Sequence, residues 1–96
     1  MRIAQVLGTV TLSRFHPSLA GARYLVAVPL SLANLKGEAA PTAEDFVVYD
    51  RLGAGPGSFI AVSEGREAAQ PFRPEIKPVD AYNAAILDTI NVTDNP

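Results

Sequence analysis

Apolar and polar residues alternate from residue 2 to residue 13. Ala4, Val6, Gly8, Val10 and Leu12 fall on one side, and Ile3, Gln5, Leu7, Thr9 and Thr11 on the other. Successive side chains of an extended chain point to opposite faces, so this period of two, with no proline, predicts a long strand. Gly8 in its middle predicts a bend or bulge. Residues 22–30, Ala-Arg-Tyr-Leu-Val-Ala-Val-Pro-Leu, are instead almost continuously apolar. Such a strand has both faces covered. One face meets the core; the other needs a partner, which for so short a chain can be another subunit. Pro29 belongs at the strand's end or on an edge. Two further short strands are predicted over 46–49 and 59–63.

The intervening segments read as connections. Within 14–21, Pro17 biases His16 away from helix and Gly21 ends the loop. Residues 31–44, with Asn34, Gly37 and Pro41, predict a surface loop with room for one helical turn over 31–35. Residues 64–70 carry helix formers after Gly65 and predict one or two helical turns, stopped by Pro71 and Pro74. Pro78 adds a third proline to an extended crossing over 71–78. Residues 80–83 predict a short helical entry to a last strand over 86–92, and 93–96 a loose polar tail. The sum is one mostly all-β domain over 1–92, with about five strands and a short helix after the fourth. A five-stranded barrel of the oligonucleotide/oligosaccharide-binding (OB) type has that strand count. Its helix commonly lies between strands three and four, so the placement here departs from the common form.

The stretch between the third and fourth strands is Asp50-Arg51-Leu52-Gly53-Ala54-Gly55-Pro56-Gly57-Ser58. Glycine reaches backbone angles closed to other residues and lets another backbone come near; proline fixes one angle and removes a donor. The stretch therefore predicts a shaped loop with small side chains at its tip. A plain turn, a packing or pore contact and a ligand loop all use such residues. A phosphate loop is excluded, because no Gly-Lys-Ser/Thr ending is present and a strand pattern, not a helix, follows.

Composition narrows the chemistry. The chain has 96 residues, 48% of them hydrophobic, without tryptophan, which predicts a thin core for one small domain. The absence of cysteine excludes disulfides and thiolate catalysis, and a single histidine excludes multi-histidine zinc sites. His16 has no evident catalytic partner and reads as structural or exposed. Asp45, Asp50, Asp80 and Asp88 could supply paired carboxylates, but no spacing singles out a pair. No cofactor or metal is expected. The net charge of -2 argues against a sequence-independent grip on nucleic acid. No apolar run approaches a membrane span, and the N-terminus lacks signal-peptide features. The expectation is a cytoplasmic protein.

Four places together carry a resemblance. They are Val6-Leu7-Gly8-Thr9-Val10; His16-Pro17-Ser18-Leu19 with Gly21; Asp50-x-Leu52-Gly53-Ala54-Gly55-x-Gly57; and Pro78-Val79-Asp80-Ala81 followed by Ile-Leu-Asp-Thr-Ile. In order and spacing the chain, from residue 2 to about residue 92, resembles the bacterial microcompartment vertex proteins, pentameric shell proteins of carboxysomes and ethanolamine-type metabolosomes. The family often has Glu where Ser58 stands and valine or isoleucine where Pro56 stands, and its basic tract before His-Pro is reduced to Arg14-Phe15. A subunit contact through that carboxylate is therefore not carried over.

The resemblance implies a barrel subunit in a homopentameric ring, with Gly53, Ala54, Gly55, Pro56, Gly57 and Ser58 near the five-fold axis and the subunit contacts. Gly8, His16, Pro17, Pro78, Val79 and Asp80 are the other motif positions. It further implies a non-enzymatic structural role, closing the pentagonal vertices of an icosahedral shell beside hexameric shell proteins. The rival reading is an OB-fold module for single-stranded nucleic acid, which requires a basic groove with stacking aromatics. Three Tyr, four Phe and a mildly acidic balance fit it poorly.

Overall fold

A computed structural model describes residues 1–11, 23–65, 68, 70–73 and 80–92. Five strands form a closed barrel: β1 (Arg2–Val10), β2 (Arg23–Pro29), β3 (Phe46–Asp50), β4 (Phe59–Glu64) and β5 (Ala81–Leu87), in the order β1-β2-β3-β5-β4. Neighbours pair antiparallel except β3 and β5, which meet in parallel at Tyr49 and Tyr82. The seam between β3 and β5 rests on that one pair, whereas the other seams are longer ladders.

The inner faces follow the period of two. Ala4 and Val6 of β1, Leu25 and Ala27 of β2, Val48 of β3, Ile60 and Val62 of β4 and Ala81 of β5 form one buried cluster with Ala54 of the glycine loop. Only Leu25 and Ile60 among them are large, so the core is thin. Pairing of β1 with β2 shifts register between Val6 and Gly8. The bulge expected at Gly8 is there, and it leaves Leu7 facing outward, 52% exposed. Pro29 is the last residue of β2, where its missing N–H interrupts nothing.

A second, smaller cluster lies outside the barrel. Tyr49, Ala68 and Phe72 are buried there, with Tyr24 and Tyr82 packed against them. The rings of Tyr49 and Phe72 meet edge to face at 4.9 Å, and the Arg51 guanidinium lies 4.7 Å from the Phe72 centroid. This cluster covers Tyr24 on the outer face of β2. By contrast, Val26 pairs outward with Val47 of β3, which remains 49% exposed.

The helical pieces are short. α1 (Leu32–Leu35) is one turn between β2 and β3, inside the loop where a turn was expected. Ser31 Oγ accepts from Asn34 N at 3.2 Å and Asn34 Oδ1 accepts from Ser31 N at 2.8 Å, a reciprocal cap. After β4 the chain forms a 3-10 turn over Gln70–Phe72. Ahead of it Ala68 is helical, within the helical turns expected over 64–70, and Pro71 sits inside the 3-10 turn that follows.

The C-terminal expectation needs correcting. No helical entry occupies 80–83: β5 begins at Ala81, where Glu64 pairs with it, and Asn83 pairs with Val62. Cross-strand pairing overrides the helix-tolerant residues. The strand also ends earlier than expected. Leu87 pairs with Phe59, the first residue of β4, so the alternating Ile90 and Val92 have no strand to join.

Candidate assembly loop

The loop from Asp50 to Ser58 joins β3 to β4, and one carboxylate shapes it. Asp50 is the last residue of β3, two after buried Val48, so its side chain points inward at the barrel's end. It is 1% exposed. Its Oδ1 accepts from Leu52 N at 2.9 Å, and its Oδ2 accepts from Gly53 N and Ala54 N, both at 3.1 Å. Asn83, two residues after Ala81 on the inner face of β5 and fully buried, donates from Nδ2 to Asp50 Oδ1 at 2.9 Å. Four donors thus converge on one carboxylate. Hydrogen bonds to a charged acceptor are each worth about 1.5–3 kcal/mol, so the loop's first turn is held from inside the barrel.

Arg23, at the start of β2, approaches from the partly exposed side. Its Nη1 lies 3.8 Å from Asp50 Oδ2, and its Nη2 donates to Ala54 O at 3.4 Å. Asn83 Oδ1 is buried and accepts from no donor among the described residues. The Asp50 carboxylate fixes the orientation of its amide, since turning Oδ1 toward Asp50 would set two acceptors face to face.

The loop returns along β1. Gly57 N donates to Val6 O at 2.8 Å and Val6 N to Ser58 O at 2.9 Å, and Ser58 N closes a turn on Gly55 O at 3.1 Å. Gly53 has φ +83° and Gly57 φ +87°, a region that side-chain-bearing residues rarely adopt. Both glycines therefore have a reason within the subunit. Gly55 has none: its φ is not positive, and a Cβ built on it meets nothing within 4 Å. Ala54 is buried in the core cluster, whereas Pro56 and Gly57 are exposed and Gly55 and Ser58 half-buried.

Of the other predicted positions, Gly8 lies in β1 two residues beyond Val6, near the loop's return. Asp80 lies at the entry to β5, where its carbonyl accepts from Gly65 N at 2.9 Å. His16, Pro17, Pro78 and Val79 lie outside the described residues. Sequence reasoning had Asp50 among four interchangeable acidic residues and missed Asn83 and Arg23. A signal for Asp50 was present: an Asp followed within four residues by Gly53 and Ala54 is a turn-capping pattern. Nothing local pointed to Asn83. Among the described residues no acidic or histidine cluster could hold a metal ion.

The chain as a whole is similar to known proteins. The model of the family described as ethanolamine utilisation protein EutN/carboxysome matches residues 1–88. The carboxysome shell vertex protein CcmL of Synechococcus elongatus is 40% identical over 92 residues, covering 96% of this chain and 88% of that protein. The solved structure of Gloeobacter violaceus CcmL superposes with a TM-score of 0.83 at 34% identity, covering 96% of this chain and 90% of that one. The GrpN pentameric microcompartment shell protein from Rhodospirillum rubrum superposes with a TM-score of 0.80 at 31% identity, covering 97% and 100%. With the match running from β1 through the whole of β5, the chain belongs to the EutN/CcmL family.

Proposed function

We propose that this protein is a non-enzymatic vertex subunit of a bacterial microcompartment shell in the cytoplasm. Five copies form a closed ring, which supplies at each corner the curvature that flat hexagonal shell tiles lack. Loop residues 53–58 face the five-fold axis and the neighbouring subunits, and hexameric shell proteins surround the ring.

The observation that carries this reading is Gly55. Gly53 and Gly57 satisfy the backbone of their own subunit, but Gly55 answers no backbone angle and no crowding inside it. A neighbouring copy of the same loop, converging on an axis, supplies the missing reason, because five tips meet only if they are small. Apolar side chains left uncovered on the subunit support it too. Leu7, Val47 and Leu52 are each about half exposed, and a heterologous ring contact buries two different patches of every subunit. Vertex and pentameric relatives point the same way.

Native mass spectrometry tests the reading. Five copies of a 10.2 kDa chain give a species near 51 kDa. A chain that stays monomeric at tens of micromolar overturns it.

A further inference from the structure

The pair Asp50 and Asn83 lies inside the barrel, faces no solvent, and forms no part of the ring's proposed contact surface. We infer that it is a positioning device: it holds the glycine loop in its assembly-competent shape before subunits meet. The inference rests on the reading of the loop as a subunit contact. Three features argue for it. Among the described residues the Asp50 carboxylate takes its hydrogen bonds from one stretch, Leu52 to Ala54, and from Asn83. Asn83 is fully buried on the inner face of β5 and turns its Nδ2 to Asp50, so the carboxylate is held from inside the barrel. The loop's other end is tied separately to Val6, so without Asp50 the half carrying Gly53 and Ala54 would keep only the burial of Ala54 and the long contact from Arg23.

A loop ordered in advance matters because association selects the competent fraction of free subunits, and a ring selects it five times. If loosening left the loop ordered in a tenth of free subunits, the overall association constant would fall about 10⁵-fold. The concentration at half-assembly would rise about 18-fold, the five factors being shared over four association steps.

The test uses the full chain with Asp50→Asn, which keeps the side chain's shape and turns one acceptor into a donor facing the loop amides. Ile60→Val, in the core and outside the Asp50–Asn83 hydrogen bonds, serves as a control of modest subunit destabilisation. Three readouts are taken: sheet content with urea midpoint, amide exchange at Leu52, Gly53 and Ala54, and subunit concentration at half-assembly. Asp50→Asn is expected to stay folded, to exchange those three amides at least about tenfold faster, and to raise the half-assembly concentration well beyond Ile60→Val of equal urea midpoint. Asn83→Ala is expected to do the same more weakly. Equal assembly shifts for the loop variants and the stability-matched control would overturn the inference. So would failure of both loop variants to fold, since the pair would then be holding the barrel. A monomeric wild type, seen before any variant is made, overturns the vertex reading instead; the brace is then judged on the exchange rates alone.

Discussion

Substituting the loop glycines separates what the subunit requires from what the ring requires. Gly57 has φ +87°, so Gly57→Ala forces a left-handed conformation on a residue with a Cβ, at about 1–2 kcal/mol. That loss falls on the subunit, whether or not it is assembled. Gly55 is not in that region and has open space where its Cβ would be. Gly55→Ala is therefore expected to leave the isolated subunit unchanged, or to stabilise it by about 0.4–1 kcal/mol through the unfolded chain. In a ring the order reverses. Gly55→Val places a branched side chain at a convergence of five tips, where crowding costs about 1–3 kcal/mol per site. Five sites shared over four association steps then raise the half-assembly concentration by about 8- to 500-fold, at 1.4 kcal/mol per decade. Urea unfolding and native mass are measured on the same samples. The expected pattern is Gly57→Ala weaker in urea and still pentameric, with Gly55→Val near wild type in urea and dissociated. A Gly55→Val chain that is folded and fully pentameric refutes the axial placement of the loop.

Two further outcomes follow from the outer surface. Burial of the Tyr24 hydroxyl, and then the neighbouring Tyr49, raise the Tyr24 pKa above its ordinary value near 10; the folded state holds its proton where the unfolded chain releases it. That share of stability is full below pH about 10 and falls as pH rises further, so the urea midpoint between pH 9 and 11 should drop more steeply in wild type than in Tyr24→Phe, and parallel profiles would refute it. Labelled single-stranded DNA at low salt should show flat fluorescence anisotropy, since the net charge is -2 and Tyr49, Phe72 and Tyr82 pack against one another, with Arg51 over Phe72 and Tyr82; tight binding that weakens steeply with salt would favour the OB-module reading.

What the sequence made legible was the part decided locally. The alternation through Ala4 and Val6, the bulge beside Gly8, the terminal position of Pro29 and the loop at Gly53 to Gly57 all follow from periodicity or from single-residue stereochemistry. The entry to β5 does not. Ala81, Asn83, Ala84 and Ala85 carry weak strand preference, and the segment is extended because Glu64, Val62 and Ala61 of β4 pair with Ala81, Asn83 and Ala85, while Ser63 of β4 and Tyr49 of β3 pair with Tyr82. Conversely, Ile90 and Val92 keep the pattern of a strand but lie beyond the reach of β4. A strand needs a neighbour, and sequence pattern alone does not say where the neighbour stops.

The same limit explains why Asn83 went unread while Asp50 was half-read. An Asp before a glycine loop announces a turn, but its second partner lies 33 residues away and is set only by barrel closure. Gly55 is the opposite case, a residue visible in the sequence whose purpose the folded subunit does not explain. Its neighbours Gly53 and Gly57 have positive φ, and either would be strained by any other residue. Gly55 would accept alanine without strain or collision, so nothing inside the subunit requires small size at that position. The internal side of the loop is fixed by Asp50 and Asn83, and its external side is kept bare at Gly55. Rigidity on one face and smallness on the other are what a loop needs to meet four copies of itself at a point, and an ordinary surface turn needs neither.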